Sequence, residues 1–199
     1  MTLPSTIASR KCFLSVALWG SVTLAYILKG QLPQILQRHL FSPNTQTMKK
    51  LQFKKDINAS AEKVYNTMLG IGNIETYQQW TSEFNPTSTY EGSWEKGAKM
   101  YFVGTDENGK RGGMVSEIAD NIPSRFVSIR HYGILDGDSE ITEGAEVEKW
   151  AGGLENYSFH EHNGVTTVTV EMDAIEDYLD YFNATWPKAL DKLKALAEN

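Results

Sequence analysis

Three adjacent residues, Arg130, His131 and Tyr132, put a cation, an imidazole and a phenol on one strand-like stretch, Arg125 to Tyr132. An imidazole titrates near neutrality and can act as a general acid or base. A guanidinium reads a carboxylate or phosphate through paired donors. Strand alternation splits the stretch into two sets. Phe126, Ser128, Arg130 and Tyr132 share one side, and Val127, Ile129 and His131 the other. Either set could face an interior, and the pattern does not choose. An inward Arg130 would pair with an acidic ligand, and an outward one is an ordinary surface charge. Glu117 or Asp136 is the expected neighbour of His131. Nothing pairs it with a nucleophile, so no residue is assigned as catalytic.

His160 and His162 in "FHEHNG" share one face of a strand, the spacing of a metal pair. Tyr157 and Phe159 claim the opposite, inward face, which sends the histidines to solvent beside the Asn163-Gly164 turn. The acidic run Asp136, Asp138, Glu140, Glu143, Glu146 and Glu148 lacks the spacing of a calcium loop. No metal site is assigned. GxGxxG, P-loop, HExxH and GxSxG patterns are absent from the sequence, and no cofactor is assigned. The three Asn-x-Ser/Thr sequons, at Asn58, Asn156 and Asn183, matter only on a glycosylating export route.

The remaining candidates are apolar. Trp80, Trp94, Phe102, Tyr157, Phe159, Phe182 and Trp186, with Tyr132 and Tyr178, are dense enough to line a pocket. Met100, Met114 and Met172 could supply adaptable walls. Pockets are mostly apolar with a few polar groups that orient the guest, and Arg130 is the polar candidate. Each of these side chains would serve equally as plain core.

These residues need elements to hold them. Leu51 to Ile57 reads as a strand. Asn58 or Ser60 caps a short helix carrying Val64, Tyr65, Met68 and Leu69. A second short helix covers Ile74 to Trp80. Strands follow at Thr87 to Trp94, Lys99 to Thr105, Gly112 to Ile118 and Arg125 to Tyr132. The hairpin Leu154 to Glu161 and Val165 to Met172 turns at Asn163-Gly164. Gly133 to Gly153 reads as a long acidic loop, a mobile lid, with Trp150 as its anchor. Asp173 to Asn199 reads as an amphipathic helix. Its stripe is Ile175, Tyr178, Leu179, Phe182, Trp186, Leu190 and Leu193, and Asp173 with Glu176 forms a starting box. Pro187 either bends that helix or lies in the first turn of one that begins near Thr185. The fold class is α+β: an antiparallel sheet of about six to seven strands, alternating and half-buried, covered by the helices.

At 199 residues the chain suits one domain plus a tail. Its hydrophobic fraction of 41% supplies a core, and its net charge of −6 argues against a nucleic-acid partner. The single cysteine, Cys12, excludes an internal disulfide framework. Residues 1–47 differ from the rest. The uncharged run Cys12 to Leu28 lies between Lys11 and Lys29, short for a membrane span. It reads as a membrane anchor through 12–28, a cleaved export signal, or an extension without function ahead of a domain that starts at Met48. The domain itself is expected in the cytoplasm, or membrane-anchored through 12–28.

The stretches "INASAEKVYNTM" (Ile57 to Met68), "YQQWTSEF" (Tyr77 to Phe84), "YEGSWEKGAKMYF" (Tyr90 to Phe102), "MVSEI" (Met114 to Ile118) and "TWPKALDKLKALAE" (Thr185 to Glu198) resemble the START-like, or SRPBCC, superfamily. The likeness is to its branch named for the activator of the heat-shock-protein-90 ATPase, and it runs from Met48 to the end. The resemblance implies a helix-grip fold, a curved sheet wrapped around the last helix. It also implies a cavity between the two for a small apolar or amphipathic molecule, and no shared catalytic set. The expectation is a ligand-binding module, gated by the Gly133 to Gly153 loop. The rivals are a cyclase- or hydratase-type enzyme using Arg130, His131 or Tyr132, and a chaperone-linked interaction module, although nothing here resembles the activator's additional amino-terminal domain.

Overall fold

The computed structural model describes residues 48–199. The leader and its apolar run 12–28 lie outside the described residues. Among those described, no helix is long and apolar enough to cross a membrane.

The chain begins with β1 (Lys49–Ile57), whose inward side carries Leu51, Phe53 and Ile57. Ser60, not Asn58, caps α1 (Ala61–Leu69): its hydroxyl accepts the Lys63 amide at 3.3 Å. Gly70 ends the helix at φ 68. A Cβ there would stand 2.9 Å from that of Tyr77, so only glycine lets α2 (Ile74–Thr81) turn back this closely. Asn73 caps α2 through the Glu75 amide at 3.1 Å.

The strands β2 (Thr89–Gly92), β3 (Lys99–Thr105), β4 (Arg111–Ile122), β5 (Phe126–Asp136), β6 (Ser139–Ile141), β7 (Leu154–His162) and β8 (Val165–Ala174) complete an eight-stranded antiparallel sheet. Its order is β1-β8-β7-β5-β4-β3-β2. β7 pairs with β5 over Phe126 to Arg130, and β6 takes up the same edge further on, at Ile134 to Asp136. The short helix α3 (Ala145–Glu148) and the final helix α4 (Leu179–Glu198) follow β6 and β8 respectively.

Alternation assigns the two faces. The inner face carries Met100, Ile118, Val127, Ile129, Tyr157, Phe159, Val168, Val170 and Met172, all in the main core with Trp80, Trp186, Leu190 and Leu193. His160 and His162 are exposed, as their spacing implies. The outer face holds a small second cluster, Val103, Val115 and Leu135, flanked by Tyr101 and Tyr132.

Three expectations are corrected. The last helix does not begin at Asp173. That residue lies within β8, where its carboxylate takes the Lys50 ammonium at 3.0 Å and the Leu154 amide at 3.1 Å. A 3-10 turn at Glu176–Tyr178 intervenes, and α4 starts at Leu179. Pro187 therefore sits well inside the helix, not in its first turn. Gly133 to Gly153 is not one long loop: β5 runs through to Asp136, and β6 and α3 follow.

That segment also does not lie over the inner face. Glu140 accepts from Lys99 at 2.9 Å and from the Tyr101 hydroxyl at 2.5 Å, and both belong to the outer side of β3. The Tyr101 and Lys99 donors hold the Glu140 carboxyl below its ordinary value, and the same pairing raises Lys99 and Tyr101. Val147 of α3 is buried and packs this segment down. It is a cover for the outer cluster rather than a lid for a cavity.

Candidate functional site

The pairing of β4 with β5 brings chemistry to the inner face. Val115 pairs with Gly133 and Ser116 with His131, which leaves Tyr132 as the extra residue of a bulge in β5. His131 shares the parity of Ile129 and lies on the inner side ahead of the bulge, its ring 6.0 Å from that of Phe102, edge to face. Across the β4 ladder, Ser116 Oγ is 2.8 Å from His131 Nδ1. On β7, Glu155 shares the inward parity of Tyr157 and Phe159. Its Oε2 stands 3.4 Å from His131 Nε2, and its Oε1 accepts from the Tyr157 hydroxyl.

The result is a line of polar groups, Ser116, His131, Glu155 and Tyr157, set into an aromatic and aliphatic wall. Ser116 is fully buried, and the His131 and Glu155 side chains are each only 16% exposed. With Nε2–H directed at Glu155, Nδ1 accepts from Ser116, so the tautomer follows from the partners. Burial, and then the Glu155 charge, push the Tyr157 phenol well above its ordinary value. The same two causes raise Tyr77 on α2, with Tyr90 contributing after them. Both phenols are therefore donors at neutral pH. Polar groups withdrawn from water cost free energy unless paired. Concentrating four of them at one end of an apolar core is unusual for packing alone.

The remaining sequence candidates distribute as follows. Trp80, Met100, Tyr157, Phe159, Met172 and Trp186 are buried in the main core. Trp94 is buried as well, its indole N–H donating to the Leu69 carbonyl at 3.0 Å. Phe102 and Phe182 pack half-buried against that core. Met114 pairs with Phe102 and Ile134 on the inner side but is only partly buried. Tyr178 is half-buried, 6.2 Å from the Phe182 ring at the start of α4.

Two candidates are displaced. Arg130 points outward and pairs with Glu117 at 2.7 Å, its side chain 46% exposed. Tyr132 packs on the outer cluster. His131 does not meet Glu117 or Asp136; its partners are Ser116 and Glu155. Neither of those two was singled out by sequence, although the parity that placed Tyr157 and Phe159 inward also places Glu155, and that of Ile118 places Ser116.

The centre of the expected cavity is occupied. Trp186 lies between α4 and the sheet, with ring centroids 5.0 Å from Phe84, 5.8 Å from Trp80, 5.9 Å from Phe53 and 6.2 Å from Tyr157. Its indole nitrogen is 3.1 Å from Met172 Sδ. Two grooves open instead on the surface. One of about 540 Å³ runs past Ile71, Tyr90, Trp94 and Pro123, and one of about 410 Å³ lies between α1 and α2. Neither lies between the sheet and α4. Among the described residues, no group of three or more His, Cys, Asp or Glu side chains is arranged to hold a metal ion.

Comparison with solved structures bears on this architecture. The Aha1 dimer of Colwellia psychrerythraea is 20% identical, with a TM-score of 0.53 over 76% of this chain and 97% of that one. CalU16 of Micromonospora echinospora is 14% identical, with a TM-score of 0.52 over 75% and 76%. A protein of Nitrosomonas europaea is 12% identical, with a TM-score of 0.57 over 79% and 97%. The chain has the helix-grip fold. At these identities the likeness extends to the fold alone. No protein-family model matches the sequence, and no curated protein matches it either. What the helix-grip domain does must therefore be argued from its own inner face.

Proposed function

We propose that the protein binds a small amphipathic molecule on the inner face of the sheet, at the end where Glu155, His131 and Tyr157 meet. The observation that carries this reading is the largely buried polar line itself, bordered by Phe102, Tyr77, Met172 and Ile129. Ligand sites combine apolar walls with a few convergent polar groups. Here the walls would hold the apolar body and the carboxylate–imidazole pair would orient the polar end. Met172 is the cross-strand partner of Glu155. From Met172 the chain passes directly into the 3-10 turn and α4, which brings Tyr178 and Phe182 to this end of the sheet. These half-buried aromatics are the parts that would yield to admit a guest. Trp186, deeper in, stays as the floor.

The alternatives fare less well. An enzymatic reading built on Arg130, His131 and Tyr132 retains only His131 on the inner face. A chaperone-linked role draws on a likeness of fold to the Aha1 dimer.

The test is native mass spectrometry of the full chain, purified without detergent and then incubated with a small-molecule extract of its host cells. A non-covalent adduct that dissociates on denaturation is expected. A chain that keeps its bare mass both as purified and after incubation would refute the binding reading.

A further inference from the structure

The chemistry around Glu155 narrows the class of guest, and this inference rests on the binding reading above. We infer that the inner-face site selects molecules whose polar end is an organic cation, an ammonium or amidinium group on an apolar body. Glu155 is a largely buried carboxylate whose ion-pair partner is His131 rather than a lysine or arginine. Other ion-paired acids, such as Glu140, Asp173, Glu117 and Glu91, answer a lysine or arginine directly. Arg130, the one guanidinium on this part of β5, is turned to the opposite face and engaged by Glu117. The inner face thus presents negative charge with no fixed cationic side chain beside it.

The walls suit the same guest. Tyr157 donates to the carboxylate, and the Tyr77 ring lies within the field of its charge. Phe102 and Tyr90 continue the aromatic surface, with ring centroids 6.5 and 4.9 Å from Tyr77. Aromatic faces attract cations through their quadrupole, most strongly where water is thin. A carboxylate adds a charge-assisted hydrogen bond. An anionic guest meets repulsion from Glu155 and finds no arginine or lysine to answer it. A neutral alcohol finds an acceptor but no charge.

Three probes with one aromatic body separate these cases: 2-phenylethylamine, 2-phenylethanol and 3-phenylpropanoate. Each is titrated into the full chain at neutral pH, and binding is followed by the methyl resonances of Met172 and Met100. The amine is expected to bind at least about tenfold more tightly than the alcohol, and the carboxylate weakest of the three. Glu155→Gln keeps an acceptor for Tyr157 and should bring the amine level with the alcohol. Should that variant not fold, the ranking of the three probes on the natural chain still decides. Equal affinities, or a carboxylate that binds as well as the amine, would overturn the cation preference while sparing the binding site. Retention of the amine preference in folded Glu155→Gln would overturn the role of Glu155. Failure of all three probes to shift Met172 or Met100 would overturn the binding reading and this inference with it.

Discussion

Trp186→Ala is expected to lower the unfolding free energy by about 3–5 kcal/mol, the cost of deleting a large buried aromatic. Trp186 is 2% exposed and joins α4 to β1, α2 and β7 at once through Phe53, Trp80 and Tyr157. Geometric ring pairs add to the burial term, and the contact of its indole nitrogen with Met172 Sδ is also lost. A domain of this kind has only about 5–15 kcal/mol of net stability, so the variant should sit near the edge of folding. Urea unfolding followed by circular dichroism measures the loss. Trp186→Phe, which keeps a ring in the same space, should recover more than half of it. A loss below about 1 kcal/mol for the alanine variant would mean that the helix is not gripped through this residue.

The second large effect belongs to a residue with no side chain. Gly113 on β4 pairs with Val103 and Leu135, and a Cβ there would stand 1.9 Å from the Phe102 carbonyl oxygen. That contact is with backbone, so β3 must move away from β4. Phe102 and Met100 would lose their positions on the inner face, and the outer cluster would open on the other. Gly113→Ala should cost about 3 kcal/mol through combined strain and overpacking. It should also raise amide exchange along β3 before the rest of the sheet. Gly109→Ala is the control. Its φ is +77, but a Cβ there meets nothing within 4 Å, so only the left-handed strain applies, about 1–2 kcal/mol. Equal losses for the two variants would argue against the close approach of β3 and β4.

The architecture was legible because alternation and helical spacing are local signals. Val168, Val170 and Met172 alternate with Thr167, Thr169 and Glu171, and their burial follows that pattern. Trp186, Leu190 and Leu193 are buried at helical spacing. The boundary of α4 was not legible. Asp173 and Glu176 carry the residue types of a capped start, but Lys50 and the Leu154 amide compete for Asp173, and those partners are distant in sequence. The site was not legible because alternation leaves open which set of β5 faces inward, Val127, Ile129 and His131 or Phe126, Ser128, Arg130 and Tyr132. Ile129 and His131 face inward and Arg130 and Tyr132 outward by plain alternation, and the bulge at Tyr132 reverses parity only beyond it, which puts Leu135 in the outer cluster. No local pattern announces that insertion, because the β4 partner sets it. Acidic and glycine-rich sequence such as 133–153 resembles a mobile lid whether or not it is tied down. Its attachment through Glu140 depends on Lys99 and Tyr101, which lie on another strand. The filled centre was also beyond reach, since aromatic composition serves a pocket and a packed core alike.

The measurement that bears most directly on the inner-face site is methionine-methyl NMR of the full chain as 1-octanol, a neutral amphiphile, is added. Met172 lies opposite Glu155 and Met100 lies on the same inner face, whereas the surface groove is bordered by Ile71 and Trp94. Saturable shifts of the Met172 and Met100 methyls, with the Trp94 indole signal following more weakly or not at all, are the predicted result. Shifts confined to Trp94 and the Ile71 methyls, or no saturable shift anywhere, would contradict a guest on the inner face.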